Sequence, residues 1–247
     1  MDEGNINEQP QVPNEKEEKV VVIKKSRLLI AVAIIVIIGL AIAAFYFLQN
    51  PSHTAQYIAN YSSVLGSDSA TINVIEFSDY ECQFCQAAEG ANQEVMDSLK
   101  QNDPSWEAPV PKLIEEYVNV GKVRLVFRNF PVHPTSAGVA LAAACAQEQN
   151  NFWEYHQDLF QNYNALSVTD LKRYATDLNL NLTQFSQCLD SKKYQGEIDN
   201  DLTDGRSLGV SGTPTFFIGN NETGYEKLVG AQSFSAFKQI IDSKISV

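Results

Sequence analysis

Cys82 and Cys85 are separated by two residues in the stretch Asp79-Tyr80-Glu81-Cys82-Gln83-Phe84-Cys85. Thiols at that spacing on the first turn of a helix can close a compact disulfide and exchange it through a mixed disulfide. They can equally supply half of a zinc site. If a helix begins at Cys82, its sulfur meets backbone N–H groups without intrahelical partners, and these favour thiolate over thiol. Cys82 is then the attacking thiol and Cys85 the resolving one, with Tyr80, Gln83 and Phe84 around the exposed sulfur to meet a passing polypeptide. A zinc site needs a second pair. Cys145 and Cys188 stand 43 residues apart, and His133 and His156 have no ligand-like spacing to any cysteine. The motif by itself leaves a redox pair, an inert bridge and a metal site open.

Glu76 is an acid inside an apolar strand pattern, six positions before Cys82. It reads either as an outward side chain at a strand edge or as a buried carboxyl beneath the pair. In the second case its pKa is raised, and it exchanges a proton with Cys85 through water. Cys145 lies in an alanine-rich segment and Cys188 follows Phe185-Ser186-Gln187. In an oxidising compartment they are expected to form a structural disulfide between two helices, the alternative being two buried free thiols. Closing a loop of some forty residues stabilises by on the order of 3–4 kcal/mol.

The elements that must position these residues follow from the apolar periodicity. Residues 71–77, TINVIEF, predict an interior strand that runs into the cysteine pair. From Cys85, residues 85–100 place Ala88, Ala91, Val95 and Leu99 on one face and predict a helix that continues through Gly90. A loop over 101–111 leads to a helix at 111–120, and 122–132 is a second strand. About seventy residues of helical pattern follow, with starts expected near Asp170 and Asn181. Two strands, TPTFFIG and YEKLVG, flank the turn-rich NNETG, and an amphipathic helix closes the chain with Phe234, Phe237, Ile240 and Ile241 on its apolar side. The order is β, α, β, a helical block, then β, β, α. It predicts an α/β fold: a central mixed sheet flanked by helices, with an inserted all-helical domain.

Residues 28–48 are 21 in number and uncharged. At about 1.5 Å per residue they cross a bilayer core of about 30 Å. No small-x-small cleavage site follows, so an uncleaved anchor is expected. Lys24, Lys25 and Arg27 precede the run and no Lys or Arg follows it until Lys100, which predicts a cytoplasmic N-terminus and an extracytoplasmic remainder. Residues 1–27 read as a disordered cytoplasmic tail, and 49–69 as a linker with a helical lead over 53–65. From residue 51 onward 24 Asp and Glu face 13 Lys and Arg, a balance that argues against nucleic acid as a partner. Asn60, Asn181 and Asn221 begin glycosylation-type triplets on the same side.

IEFSDYECQFC, VRLVFRNFPVHPTSAGVALAAACAQEQNNFWEYHQDLF and GVSGTPTFFIGN, in that order, resemble the DsbA-like branch of the thioredoxin superfamily. These are exported thiol-disulfide oxidoreductases of bacteria and archaea, some of them membrane-anchored. The resemblance implies a thioredoxin-like fold in two parts, 70–132 and 207–247, around a helical domain over 133–206. It implies that Thr213 and Pro214 are the family's threonine and cis-proline, brought beside Cys82 to pair with a substrate chain, and that Glu76 is the buried acid. The substrates it implies are reduced or misfolded exported polypeptides. Reoxidation would come from a quinone-linked or electron-relay membrane partner, and neither cofactor nor metal is expected. Gln83 stands where the family often has proline, which leaves the direction open among oxidant, isomerase and reductase. A non-catalytic peptide-binding or chaperone-like envelope protein is the reading from another class.

Overall fold

The computed structural model describes residues 63–245 and, upstream, only Ile34 and Val36, both helical and exposed. The expected tail, the apolar run apart from those two positions, and most of the helical lead lie outside the described residues. Among the described residues no helix is long and apolar enough to cross a membrane.

Five strands form one mixed sheet in the order β1-β3-β2-β4-β5. They are β1 (Val64–Leu65), β2 (Ile72–Ser78), β3 (Val123–Asn129), β4 (Thr215–Asn220) and β5 (Gly224–Val229). β2 and β3 are parallel and the other pairings antiparallel. β2 is buried along its whole length, as its near-continuous apolar sequence requires. Alternation along it puts Ile72, Val74 and Glu76 on one face and Ile75 and Phe77 on the other. The first face packs with Leu113, Phe216 and Phe237, and the second with Val126, Phe130, Val210 and Phe217.

Three short helical elements join β2 to β3: α1 (Gln83–Ala88), α2 (Gln93–Asn102) and α3 (Pro109–Leu113), the last continuing as a π-helical stretch, Ile114–Val118. Between β3 and β4 come α4 (Ser136–Gln147), α5 (Phe152–Gln161), α6 (Val168–Asp177), α7 (Leu182–Asp190) and α8 (Gln195–Ser207), and α9 (Phe234–Ile245) ends the fold. This is the expected thioredoxin-like sheet with an inserted helical domain. Ser167 and Asp170 form a reciprocal capping box on α6, and the Asn181 side chain caps α7 by accepting from the Gln184 amide. The Cys145–Cys188 disulfide joins α4 to α7, with sulfurs 2.05 Å apart.

Three local expectations are corrected. The helical lead does not reach Leu65, because Val64 and Leu65 pair as a strand with Val126 and Leu125. The helix expected through Gly90 is two helices. Gly90 takes φ +76°, which ends α1, and the Asn92 side chain accepts from the Val95 amide to start α2. The helix expected at 111–120 starts two residues earlier, with Pro109 in its first turn, and loosens into the π-helical stretch.

Candidate redox site

β2 delivers the chain to Asp79, whose carbonyl accepts the Cys82 amide at 3.0 Å and closes the turn into α1. Cys82 is the residue that precedes the helix, with extended backbone, and Cys85 lies on the first turn. Neither is in a disulfide and both are buried, Cys82 at 8% exposure and Cys85 at zero. The Cys82 sulfur lies 3.3 Å from the Thr213 carbonyl, and the Thr213–Pro214 bond is cis. Thr213 and Pro214 are thus brought beside the pair from the far end of the sequence. Gln83 and Phe84 are exposed next to it, Phe84 at 42%.

The two thiols differ sharply in acidity. Cys82 is lowered to about 6, first by a hydrogen bond from the Cys85 thiol, with smaller help from the Thr213 side chain and the Cys85 and Phe84 amides, and against the opposing effect of burial. Cys85 moves the other way, well above the ordinary thiol range, because it is buried and because its proton is held toward Cys82.

Glu76 is fully buried on β2, opposite Phe127 of β3 and Phe216 of β4 in register. Its pKa is raised well above the ordinary carboxylate range, chiefly by burial and then by Glu89. Neither of its carboxyl oxygens has a formed hydrogen bond. It interacts electrostatically with Cys85. The strand-edge reading is therefore excluded, and the structure has the buried acid.

Sequence reasoning missed the groups behind Glu76. Glu89 sits four residues beyond Cys85, at the end of α1, and burial raises it to about 8. Its Oε1 is 3.2 Å from Nε2 of His156, whose Nδ1 is 3.1 Å from the Tyr80 hydroxyl. Burial lowers His156 to about 4, so the ring is neutral near pH 7. Glu89 and His156 also line a pocket of about 510 Å³ together with Leu65, Pro111 and Trp153. The four-residue offset from Cys85 was the available signal for Glu89, since it puts both on one helix face. His156 carried none that separates it from any other core residue of an amphipathic helix.

The family model described as Thioredoxin matches residues 105–243, more than half of the chain but beginning beyond the cysteine pair. The fold is similar to that of alpha-DsbA1 from Wolbachia pipientis, with a TM-score of 0.62 and 25% identity, covering 74% of this chain and 90% of that one. It is also similar to oxidised BdbD from Bacillus subtilis, with a TM-score of 0.61 and 20% identity over 75% and 93% of the two chains, a likeness of fold alone. Among curated proteins, the probable disulfide bond formation protein D of Bacillus anthracis is 24% identical over 87% of this chain and 93% of its own length. A further match, Na(+)/H(+) antiporter NhaA 3 of Salinispora tropica, is 35% identical over 63% of this chain but only 21% of the antiporter. The chain thus spans about a fifth of that relative.

Proposed function

This chain belongs to the thioredoxin family, and from that premise we propose that it is an exported, membrane-anchored thiol-disulfide oxidoreductase, an oxidant that introduces disulfides into extracytoplasmic proteins through Cys82 and Cys85. The split in acidity between the two sulfurs supports the exchange chemistry, and the expected extracytoplasmic placement of the site favours the oxidising direction. A substrate thiolate attacks the Cys82 sulfur of the enzyme disulfide, forms a mixed disulfide and expels Cys85, which takes a proton. A second substrate thiolate then attacks its partner sulfur in the substrate, and Cys82 leaves as a thiolate. A leaving thiol of low pKa departs faster, and a stabilised thiolate makes the reduced enzyme the favoured product.

In this reading Glu76 hands Cys85 its proton through water in the oxidising direction and takes it back in reverse. The Thr213 carbonyl and the exposed Gln83 and Phe84 meet the substrate backbone and side chains, with Pro214 shaping that edge. Residues 28–48 anchor the chain with the site outside, close to newly translocated polypeptides, and a quinone-linked membrane partner reoxidises the pair.

The test uses the full-length chain in detergent with a reduced, unfolded disulfide protein. Cys82→Ser is expected to abolish oxidation, and Cys85→Ser to accumulate mixed disulfides. Unchanged substrate processing in both variants would sink the enzymatic role. A Cys82–Cys85 potential above about −180 mV supports the oxidant, whereas one near about −270 mV assigns a reductase.

A further inference from the structure

The loop after β3 folds back over the segment that leads into Cys82, and Asp79 is the knot between them. Its side chain is fully buried. Oδ2 accepts the Val132 amide at 2.7 Å and the His133 amide at 3.1 Å, and lies 2.9 Å from His133 Nδ1. Oδ1 accepts the Glu81 amide at 2.9 Å and the Ser136 hydroxyl at 2.5 Å. The same residue's carbonyl holds the Cys82 amide. His133 keeps 44% of its side chain exposed while its Nδ1 is pinned to this buried carboxylate. The imidazole is therefore fixed in place but open to solvent protons.

We propose that His133 is a positioning residue of the redox pair, held by Asp79 so that its imidazole takes up a proton when Cys82 becomes a thiolate and releases it when the pair is oxidised. The inference rests on reading Cys82 as the thiolate of the redox pair. Reduction by a substrate dithiol moves two electrons into the enzyme disulfide and leaves two protons. One goes onto the Cys85 sulfur, and the second, otherwise lost to solvent, is partly captured by His133.

The charges facing His133 are Asp79, Glu81 and Cys82, all from the β2–α1 segment, and all favour imidazolium. The Asp79 contact contributes most, with partial burial in opposition. Glu81 is turned toward the same loop by a hydrogen bond from the Thr135 hydroxyl at 2.5 Å, and it shares the single Ser136 hydroxyl proton with Asp79, its Oε2 lying 2.6 Å from that oxygen. Of the three, Cys82 alone changes charge with redox state. Linkage makes the coupling reciprocal: a thiolate that raises the histidine pKa is itself stabilised by the protonated histidine.

The chain has three histidines, so side-chain NMR of the full-length protein can follow all of them, with His133→Gln assigning the resonance. The His133 midpoint is expected to lie higher in the reduced than in the oxidised protein, by on the order of 0.5 pH unit or more. Cys82→Ser under reducing conditions should bring it back to the oxidised value. His133→Gln should shift the alkylation midpoint of Cys82 upward by a similar amount. Equal His133 midpoints in the two redox states overturn the proposal, and that comparison needs no substitution. Should Cys82→Ser leave substrate oxidation intact, the redox reading itself falls. Equal midpoints with Cys82-dependent oxidation intact overturn the coupling alone.

Discussion

At the scale of single residues the pair is asymmetric by construction. Cys82 stands outside α1, where free amides and the Cys85 proton favour its thiolate, and Cys85 stands inside, where burial forbids one. One thiol is therefore expected to react with iodoacetamide at neutral pH in the reduced protein. The rate should rise with a midpoint near 6, and mass analysis should place the label on Cys82. Two labels in the folded protein at pH 7, or a midpoint near the ordinary thiol value of about 8.5, would contradict the split. The two cysteines were legible because a short motif at a strand-to-helix junction is a local feature. His156 and Asp79 were not, because nothing local separates a buried, hydrogen-bonded polar group from an exposed one, and Glu89 carried only its four-residue offset from Cys85. Their meaning comes from β3, α5 and the loop at Val132, brought over them by the fold.

Among elements, the strands were the most legible and the helix boundaries the least. A run such as TFFIGN is apolar on both faces and can only be interior, and it is indeed buried over all but its last residue. The α1–α2 break was hidden because the apolar face of the pattern continues through it, while the backbone turns at Gly90. β1 was hidden because two residues carry no period. Gly205 shows the same limit within α8. A Cβ there would lie 2.7 Å from the Phe130 ring and 3.0 Å from that of Phe77, so the helix approaches the sheet closely because this residue has no side chain. The approach also lets Asp201 and Asp204 of α8 reach the buried Arg128 of β3, at 2.6 and 2.7 Å. Gly205→Ala is expected to destabilise by about 1–3 kcal/mol through overpacking, despite alanine's better helix propensity. Denaturant unfolding measures it, and an unchanged or raised midpoint would mean that the aromatic pair yields.

For the whole molecule, the buried acids set how stability depends on pH. In the oxidised protein neither Cys82 nor Cys85 titrates, which leaves the carboxyls and histidines. Glu89 is raised to about 8 in the fold, so above about pH 4.5 the unfolded chain gives up a proton that the folded chain keeps. Stability then falls as pH rises, until the folded pKa is passed. Glu76, raised for the same reason, acts in the same direction. His156 opposes them: it is lowered to about 4, so the unfolded chain binds its proton up to about 6.5 and stability rises with pH below that value. His133, raised by Asp79, adds a loss as pH climbs past its unfolded value. Between pH 6.5 and 8 the His156 contribution fades and the rest all point one way. Oxidised protein is therefore expected to lose about 1–2 kcal/mol across that window from Glu89 alone. Glu89→Gln, which keeps the side-chain length and a hydrogen bond to His156, should remove that part of the slope and make the variant more stable than the parent at pH 8. Urea unfolding at fixed pH values under oxidising conditions reads the difference. A parent whose midpoint rises from pH 6.5 to 8 would mean that Glu89 is already ionised in the folded protein, and the neutral acid pair beneath Cys85 would go with it.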